Sequence, residues 1–326
     1  MSRRRGAVRA LALVAAVLVV AGCSQSSADP PTTTLPTTNG PTASGATSTQ
    51  VRGGPLGVAV RDGRTWVTLL DEKAVLTPSG MRVPLGGVPL RITDSAGGLW
   101  VSLFDTGEVV NLDDDGQVRL RVSLGEDAEP EGLASVGSQL WVVDQAGSRV
   151  VLLDARNGKK LGQVTVPAGP RLAAVGSTDL WVTSYDDGAV TGIDLRTRRI
   201  DVTRDGVCQG PQGIGESGPY LYVACTLDDS VVVLDPTTLE QTGGYRLQYA
   251  DAVVVDRSGV YIVGQKGPGV LVLDPATGDV VASGTLDDTR PVNRSNVAAA
   301  VAPDGLVVTH PEAGEVFTAP VPFTTG

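Results

Sequence analysis

From about residue 51 onward the chain reads as short apolar strands separated by turns rich in Gly, Asn, Asp and Ser. In one stretch, residues 132–136, 140–144, 149–154 and 160–166 each alternate polar and apolar side chains, the period of a half-buried strand. Gly137-Ser138-Gln139, Ala146-Gly147-Ser148 and Ala155-Arg156-Asn157-Gly158 punctuate them as turns. The unit recurs. An aromatic residue or Val followed by Val or Ile appears at Trp66-Val67, Trp100-Val101, Trp141-Val142, Trp181-Val182, Tyr222-Val223, Tyr261-Ile262 and Val307-Val308, in steps of 34, 41, 40, 41, 39 and 46 residues. A period near 40 built from four short strands predicts a β-propeller, and seven units predict seven four-stranded antiparallel blades over residues 51–326. The fold class is all-β, and it does not by itself name a function.

A second column keeps register with the first. Leu112-Asp113, Leu153-Asp154, Ile193-Asp194, Leu234-Asp235 and Leu273-Asp274 each lie twelve residues beyond the aromatic slot. A constant offset means constant strand and turn lengths, and the recurring Asp suits a side chain that caps a tight turn. The Asp113-Asp114-Asp115-Gly116 run falls in this column. It lacks the alternating acids and distal Glu of a calcium loop, so it reads as an outer turn.

Leu221-Tyr222-Val223-Ala224, Leu180-Trp181-Val182-Thr183 and Leu99-Trp100-Val101-Ser102, with turns such as Asp274-Pro275-Ala276-Thr277-Gly278, resemble the YVTN-type propeller repeat over residues 51–326. NHL and virginiamycin-lyase-like propellers are similar at this level. The resemblance implies a seven-bladed ring; its residues are packing and turn residues and imply no activity.

The first 50 residues have another character. Arg3-Arg4-Arg5 precede an apolar run from Ala10 to Val20, then Val20-Ala21-Gly22-Cys23. A basic start and a short apolar stretch make a secretory signal over residues 1–22, too short for a spanning helix. Its end resembles a bacterial lipobox, which implies lipidation at Cys23 and an extracytoplasmic protein anchored to the outer leaflet of the cell membrane. Residues 23–50, mostly Thr, Pro, Ser and Gly, are expected to be a disordered tether.

The whole chain has a formal charge of −10, and residues 1–22 carry four arginines and no acid, so the mature protein stands at −14. That acidity argues against nucleic-acid partners and against docking on anionic lipid. Besides Cys23 there are two cysteines, Cys208 and Cys225. In an exported chain they are expected to pair, because one sits before strand A of the fifth unit and the other at the end of its antiparallel neighbour B.

Chemistry in a propeller gathers where the loops leading into strand A and the B–C loops ring the channel mouth. Ten residues before each aromatic slot stand Leu56, Leu90, Glu131, Arg171, Gln212, Asp251 and Val297; three residues after it stand Leu69, Leu103, Asp144, Ser184, Cys225, Gly264 and His310. Units three to six therefore offer a polar arc. Glu131, Asp144, Arg171, Tyr185, Gln212, Asp251 and His310 are the candidate ligand-binding residues, and a wet mouth with a Glu131–Arg171 ion pair is the plainer alternative. His310 is the single histidine, with no metal-supporting acids beside it in sequence, and no Gly-x-Ser-x-Gly elbow is present. The longest loop, 287–296 with Arg290 and Arg294, is a further binding candidate.

These observations lead to the expectation of a monomeric, non-enzymatic binding or scaffold propeller, with no catalytic residue, metal or cofactor. Its ligand is expected to be an envelope protein, peptide or glycan. A metal-dependent lactonase- or lyase-like enzyme, and a sensor or assembly factor for an envelope complex, remain open at this stage.

The last unit has strands for A, B and C, but only Val321-Pro322-Phe323 to serve as D. Residues 48–52 are therefore expected to close the ring as its outer strand, because an open edge is normally covered.

Overall fold

The computed structural model describes residues 45–287 and 295–321. The signal sequence, Cys23, the tether up to residue 44, Arg290, Arg294 and Pro322-Phe323 lie outside the described residues. The chain forms seven four-stranded antiparallel sheets, a seven-bladed β-propeller, and among the described residues the one helical element is the 3-10 turn Thr226–Asp228. The third blade illustrates the unit: Pro130–Val136, Gln139–Asp144, Arg149–Asp154 and Lys160–Thr165, within two residues of the alternation read from sequence. In the first blade the third and fourth strands shrink to Ala74–Leu76 and Arg82–Pro84, which accounts for its shorter repeat.

The aromatic slot repeats because each blade must stick to the next. Trp66 packs with Ile92, Leu99 and Val101 of blade two, and Trp100 with Leu140, Val142 and Val151 of blade three. Trp141, Trp181, Tyr222 and Tyr261 continue the series onto blades four to seven. Val307 completes it against Val58, Val67 and Leu69 of blade one. All six aromatic slots are essentially buried. Burying a side chain of this size contributes about 1.5–3 kcal/mol, so the core is a ring of seven inter-blade layers with no single centre.

The Asp column does what turn chemistry requires. The carboxylate of Asp235 accepts the N–H groups of Thr237 and Thr238, and that of Asp274 accepts those of Ala276 and Thr277. Asp113 likewise accepts from Asp115 and Gln117, which makes 113–116 an outer turn between strands Glu108–Leu112 and Val118–Ser123.

A second device near the axis was not anticipated. The strand-B hydroxyl of Thr68 accepts the N–H of Gly57 and donates to Leu90 O in the next blade. Ser102 links Arg91 N–H to Glu131 O, and Thr183 links Leu172 N–H to Gln212 O. Thr309 accepts from Ala298 N–H and donates to Leu56 O, joining the last blade to the first.

Closure is completed by the N-terminal strand. Thr47–Gln50 runs antiparallel to Glu315–Ala319 as the outer strand of blade seven, and Val51 N–H bonds to Gly314 O at 2.7 Å. The expected segment 48–52 is thus shifted by one residue at its start. Pairing ends at Gln50 because Val51 turns inward and is buried. Cys208 and Cys225 form the expected disulfide, with Cα atoms 6.0 Å apart.

Candidate functional site

The mouth is positioned by a proline column. The inner strands of blades one to five begin at Pro55, Pro89, Pro130, Pro170 and Pro211, and that of blade six at Ala250. A proline at the first residue of a strand forfeits little of the ladder. Directly after it the pairing register slips in all six blades. Such a bulge re-aims a side chain, and the residue it carries is Leu56, Leu90, Glu131, Arg171, Gln212 or Asp251.

Five of the expected residues meet there. An Arg171 Nη1–H donates to Glu131 Oε2 at 3.1 Å, across the junction of blades three and four. The Arg171 guanidinium also lies over the Tyr185 ring, 4.9 Å from its centroid, a cation–π contact. The Gln212 amide faces the Glu131 carboxylate and favours its charged form, although it falls outside normal hydrogen-bond geometry. Asp251, fully buried, accepts from Val297 N–H at 2.6 Å and from Gln265 Nε2–H at 3.2 Å.

The centre of the cluster is a residue the sequence reading passed over. Arg91 is 92 % buried (8 % exposed) and donates from Nη1 to Val297 O at 3.1 Å, spanning from blade two to blade seven. Its charge acts on both Glu131 and Asp251. Two guanidinium groups and two carboxylates therefore occupy one low-dielectric girdle, formally neutral when both acids are ionised. Burial is the largest influence on each acid and raises both. Asp251 is pushed up to about 6, against the opposing pull of Arg91, Val297 N–H and Gln265. Glu131 also lies above its ordinary range, with Arg91 and Arg171 opposing the shift.

The cluster is only partly satisfied. Buried Arg91 Nε and Nη2, Arg171 Nε, Asp251 Oδ1 and Gln265 Oε1 have no hydrogen-bond partner. Buried polar atoms are normally paired, so such a concentration points to a place built for something else to bind. Above the girdle lies a cleft of about 190 Å³ lined by Arg171, Tyr185, Gln212, Thr226, Leu227, Gln265 and Asn296. Below it the axial channel is apolar, lined by Ile92, Leu133, Leu172, Ile214, Val253 and similar residues, with Arg91 at its head.

Two further candidates are occupied elsewhere. The Asp144 carboxylate pairs with Arg149 Nε at 2.7 Å and accepts Glu129 and Gly147 N–H, so it braces a loop of its own blade. His310 is fully buried, with Nδ1 accepting Ala313 N–H at 3.2 Å and Nε2 at 3.0 Å from Gln265 O. The pairing calls for a neutral ring protonated on Nε2, and burial lowers its pKa. Its tie to Gln265 makes it a support of the cluster. No group of three or more His, Cys, Asp or Glu side chains is gathered as a metal site among the described residues.

Arg91 was detectable from the repeat. Nine residues before the aromatic slot stand Gly57, Gly132 and Gly213, and Arg91 breaks that column of small residues. Asn296 ends the long 287–296 loop already singled out for its length, whereas Gln265 carried no such signal, because it lies in a loop outside the repeat.

No family model matches the chain, and no curated protein matches it in sequence. Solved structures do resemble it. Virginiamycin B lyase from Staphylococcus aureus, a catalytically inactive variant with quinupristin, superposes with a TM-score of 0.69 at 14% identity, covering 83% of this chain and 97% of the lyase. BamB from Moraxella catarrhalis gives 0.58 at 17% identity over 80% and 83%. A chain of the mitotic checkpoint complex gives 0.69 at 13% identity over 98% and 99%. These likenesses show the propeller fold alone.

Proposed function

We propose that this protein is an exported, lipid-anchored binding propeller that holds an envelope protein, peptide or glycan at its channel mouth without transforming it. The observation that carries the reading is the girdle of Arg91, Glu131, Arg171 and Asp251, buried yet incompletely paired, beneath a polar cleft. Convergent polar groups on a rigid scaffold are the usual make-up of a binding site. The single histidine is locked between backbone groups and offers no free base. The Cys208–Cys225 bridge supports residence in an oxidising compartment, and Cys23 would supply the anchor. The virginiamycin B lyase structure contains quinupristin, which is in keeping with ligand capture on such a ring.

The test is to screen the full chain against envelope glycans and peptides and to repeat each positive with Arg171→Ala. Loss of binding in a variant that melts like the parent supports the mouth as the site. Ligands held equally well by both proteins would remove it. For the anchor, Cys23→Ala is expected to move the protein from the membrane fraction to the soluble fraction; retention after a high-salt wash would refute lipidation.

A further inference from the structure

We infer that the ligand is an extended peptide segment carrying a basic side chain, docked in a groove that runs outward from the mouth between blades four and five. The inference rests on the binding reading above and adds to it a ligand class and a path.

The inner end of the groove is the 190 Å³ cleft. Gln265 is 97 % buried (3 % exposed), lines that cleft and presents Oε1 without a partner, because its Nε2 is spent on Asp251 and Asn296. Arg171, lining the same cleft, keeps Nε–H unpartnered. One acceptor and one donor in a small cleft match the N–H and C=O of a peptide group. A sugar is matched less well. Carbohydrate sites need an open ring face for stacking, and Tyr185 has little to offer. The Arg171 guanidinium covers it, and Gly210 packs so tightly that a β-carbon there would sit 2.8 Å from its Cε2.

Tyr185 and Leu227 also line a second, wider cleft of about 620 Å³ farther out, so the two adjoin. Leu227 stands 45% exposed at the junction, an apolar contact for a passing side chain. The outer cleft is lined by Asp186, Asp187 and Asp228 and by no Lys or Arg. Asp186 and Asp187 are exposed, and neither takes part in a described ion pair. That charge selects a cationic side chain on the ligand.

The disulfide shapes the same groove. Cys208 lies in one wall, and Cys225 leads directly into the turn Thr226–Asp228 that forms the other. Thr226 N–H to Gly210 O, Leu227 N–H to Gln209 O and Gln209 N–H to the Asp228 carboxylate lace the walls together. The bridge thus preorganises the docking surface as well as the fold.

The experiment is a titration of the full chain with a positional library of end-capped hexapeptides, one position at a time fixed as Lys, Arg, Leu or Glu, alongside a panel of cell-wall oligosaccharides. Pools with Lys or Arg at one position are expected to bind at least about tenfold more tightly than the matching Glu pools, a difference of ~1.4 kcal/mol. The best peptide is expected to weaken about tenfold with Leu227→Ala, and with Asp186→Asn and Asp187→Asn combined, both at unchanged melting temperature. Peptide binding that ignores all these variants overturns the groove. Binding of an oligosaccharide but no peptide, abolished by Arg171→Ala, overturns the peptide inference while leaving the mouth as a binding site. Failure of every pool and every sugar overturns both.

Discussion

Replacing Thr309 by Val tests whether hydroxyl links hold this ring shut. The substitution keeps the shape of a fully buried side chain and deletes one oxygen. That oxygen accepts the Ala298 N–H and donates to Leu56 O, so it is the side-chain link on the axis between the last blade and the first. Val keeps the volume, so no cavity term enters. What remains is the cost of a buried acceptor, Leu56 O, losing its donor, with the Ala298 N–H weakened as well. Leaving a buried polar group unsatisfied costs about 1–3 kcal/mol, so about 2 kcal/mol is expected. For a domain of this size that is a fall in melting temperature of roughly 3–4 °C.

Position matters as well as magnitude. Thr68→Val and Thr183→Val remove the same chemistry at seams that the chain itself also spans. Their cost is expected to be similar at equilibrium. At the seventh seam the chain crosses through residues 51–54, but the outer strand Thr47–Gln50 is held to blade seven by pairing alone, so Thr309→Val is expected to speed hydrogen exchange selectively in Ala298–Ala302 and Pro55–Arg61. Native-state exchange read by mass spectrometry, paired with thermal melts, measures both. If Thr309→Val melts within about 1 °C of the parent and exchange in those two strands is unchanged, the hydroxyl links are incidental to closure.

Three further outcomes follow from other parts of the molecule. Ser48→Pro with Thr49→Pro places a proline where one of two consecutive N–H groups must face the ladder; faster exchange in Glu315–Ala319 is expected, and unchanged protection there would refute Thr47–Gln50 as the closing strand. Asp251 has a folded-state pKa of about 6 against an ordinary value near 4, so the folded state holds the extra proton. Its contribution is full below pH ~4 and is lost as pH rises through 6, by roughly 3 kcal/mol. His310, shifted down, acts in the opposite sense, its contribution being lost as pH falls below its ordinary value near 6.5; the difference between parent and Asp251→Asn over pH 4–7 isolates the aspartate, and parallel curves would show that it does not titrate there. Reducing Cys208–Cys225 opens a loop defined by a sequence separation of 17 and is expected to cost about 3 kcal/mol in urea melts, with no loss if the bridge merely decorates the surface.

What could be read from sequence was whatever the ring repeats. The aromatic slot and the Leu-Asp column were legible because every inter-blade layer and every C–D turn imposes the same demand on its residues. The bulge position was legible for the same reason, and it gave Glu131, Arg171, Gln212 and Asp251 at the mouth. Arg91 escaped because it sits one residue off that position, where five of the other six blades have Gly or Ala and blade four has Leu172, and only its reach to blade seven makes it central. Asp144 and His310 show the opposite error. Both hold the right repeat position, but Arg149 and backbone groups engage them, and partner choice of that kind has no period.

Arg91 also explains why the girdle lies where it does. The hydroxyl link to the next blade exists in blades one, two, four and seven, through Thr68, Ser102, Thr183 and Thr309. The equivalent positions in blades three, five and six are Val143, Ala224 and Val263, which cannot donate. The acceptor that Val263 would have served is Val297 O, and Arg91 Nη1–H supplies its bond from across the axis. A guanidinium has five donors, so one can be spent on this seam while Nε and Nη2 remain for a ligand. On the binding reading proposed above, the same side chain serves structural closure and ligand recognition. A truncation such as Arg91→Ala would remove both, leaving Asp251 buried without a nearby cation and Glu131 with Arg171 alone. For this reason Arg171, a side chain 24% exposed at the rim that crosses only the junction of blades three and four through its ion pair with Glu131, is the residue through which binding can be tested without opening the seventh seam.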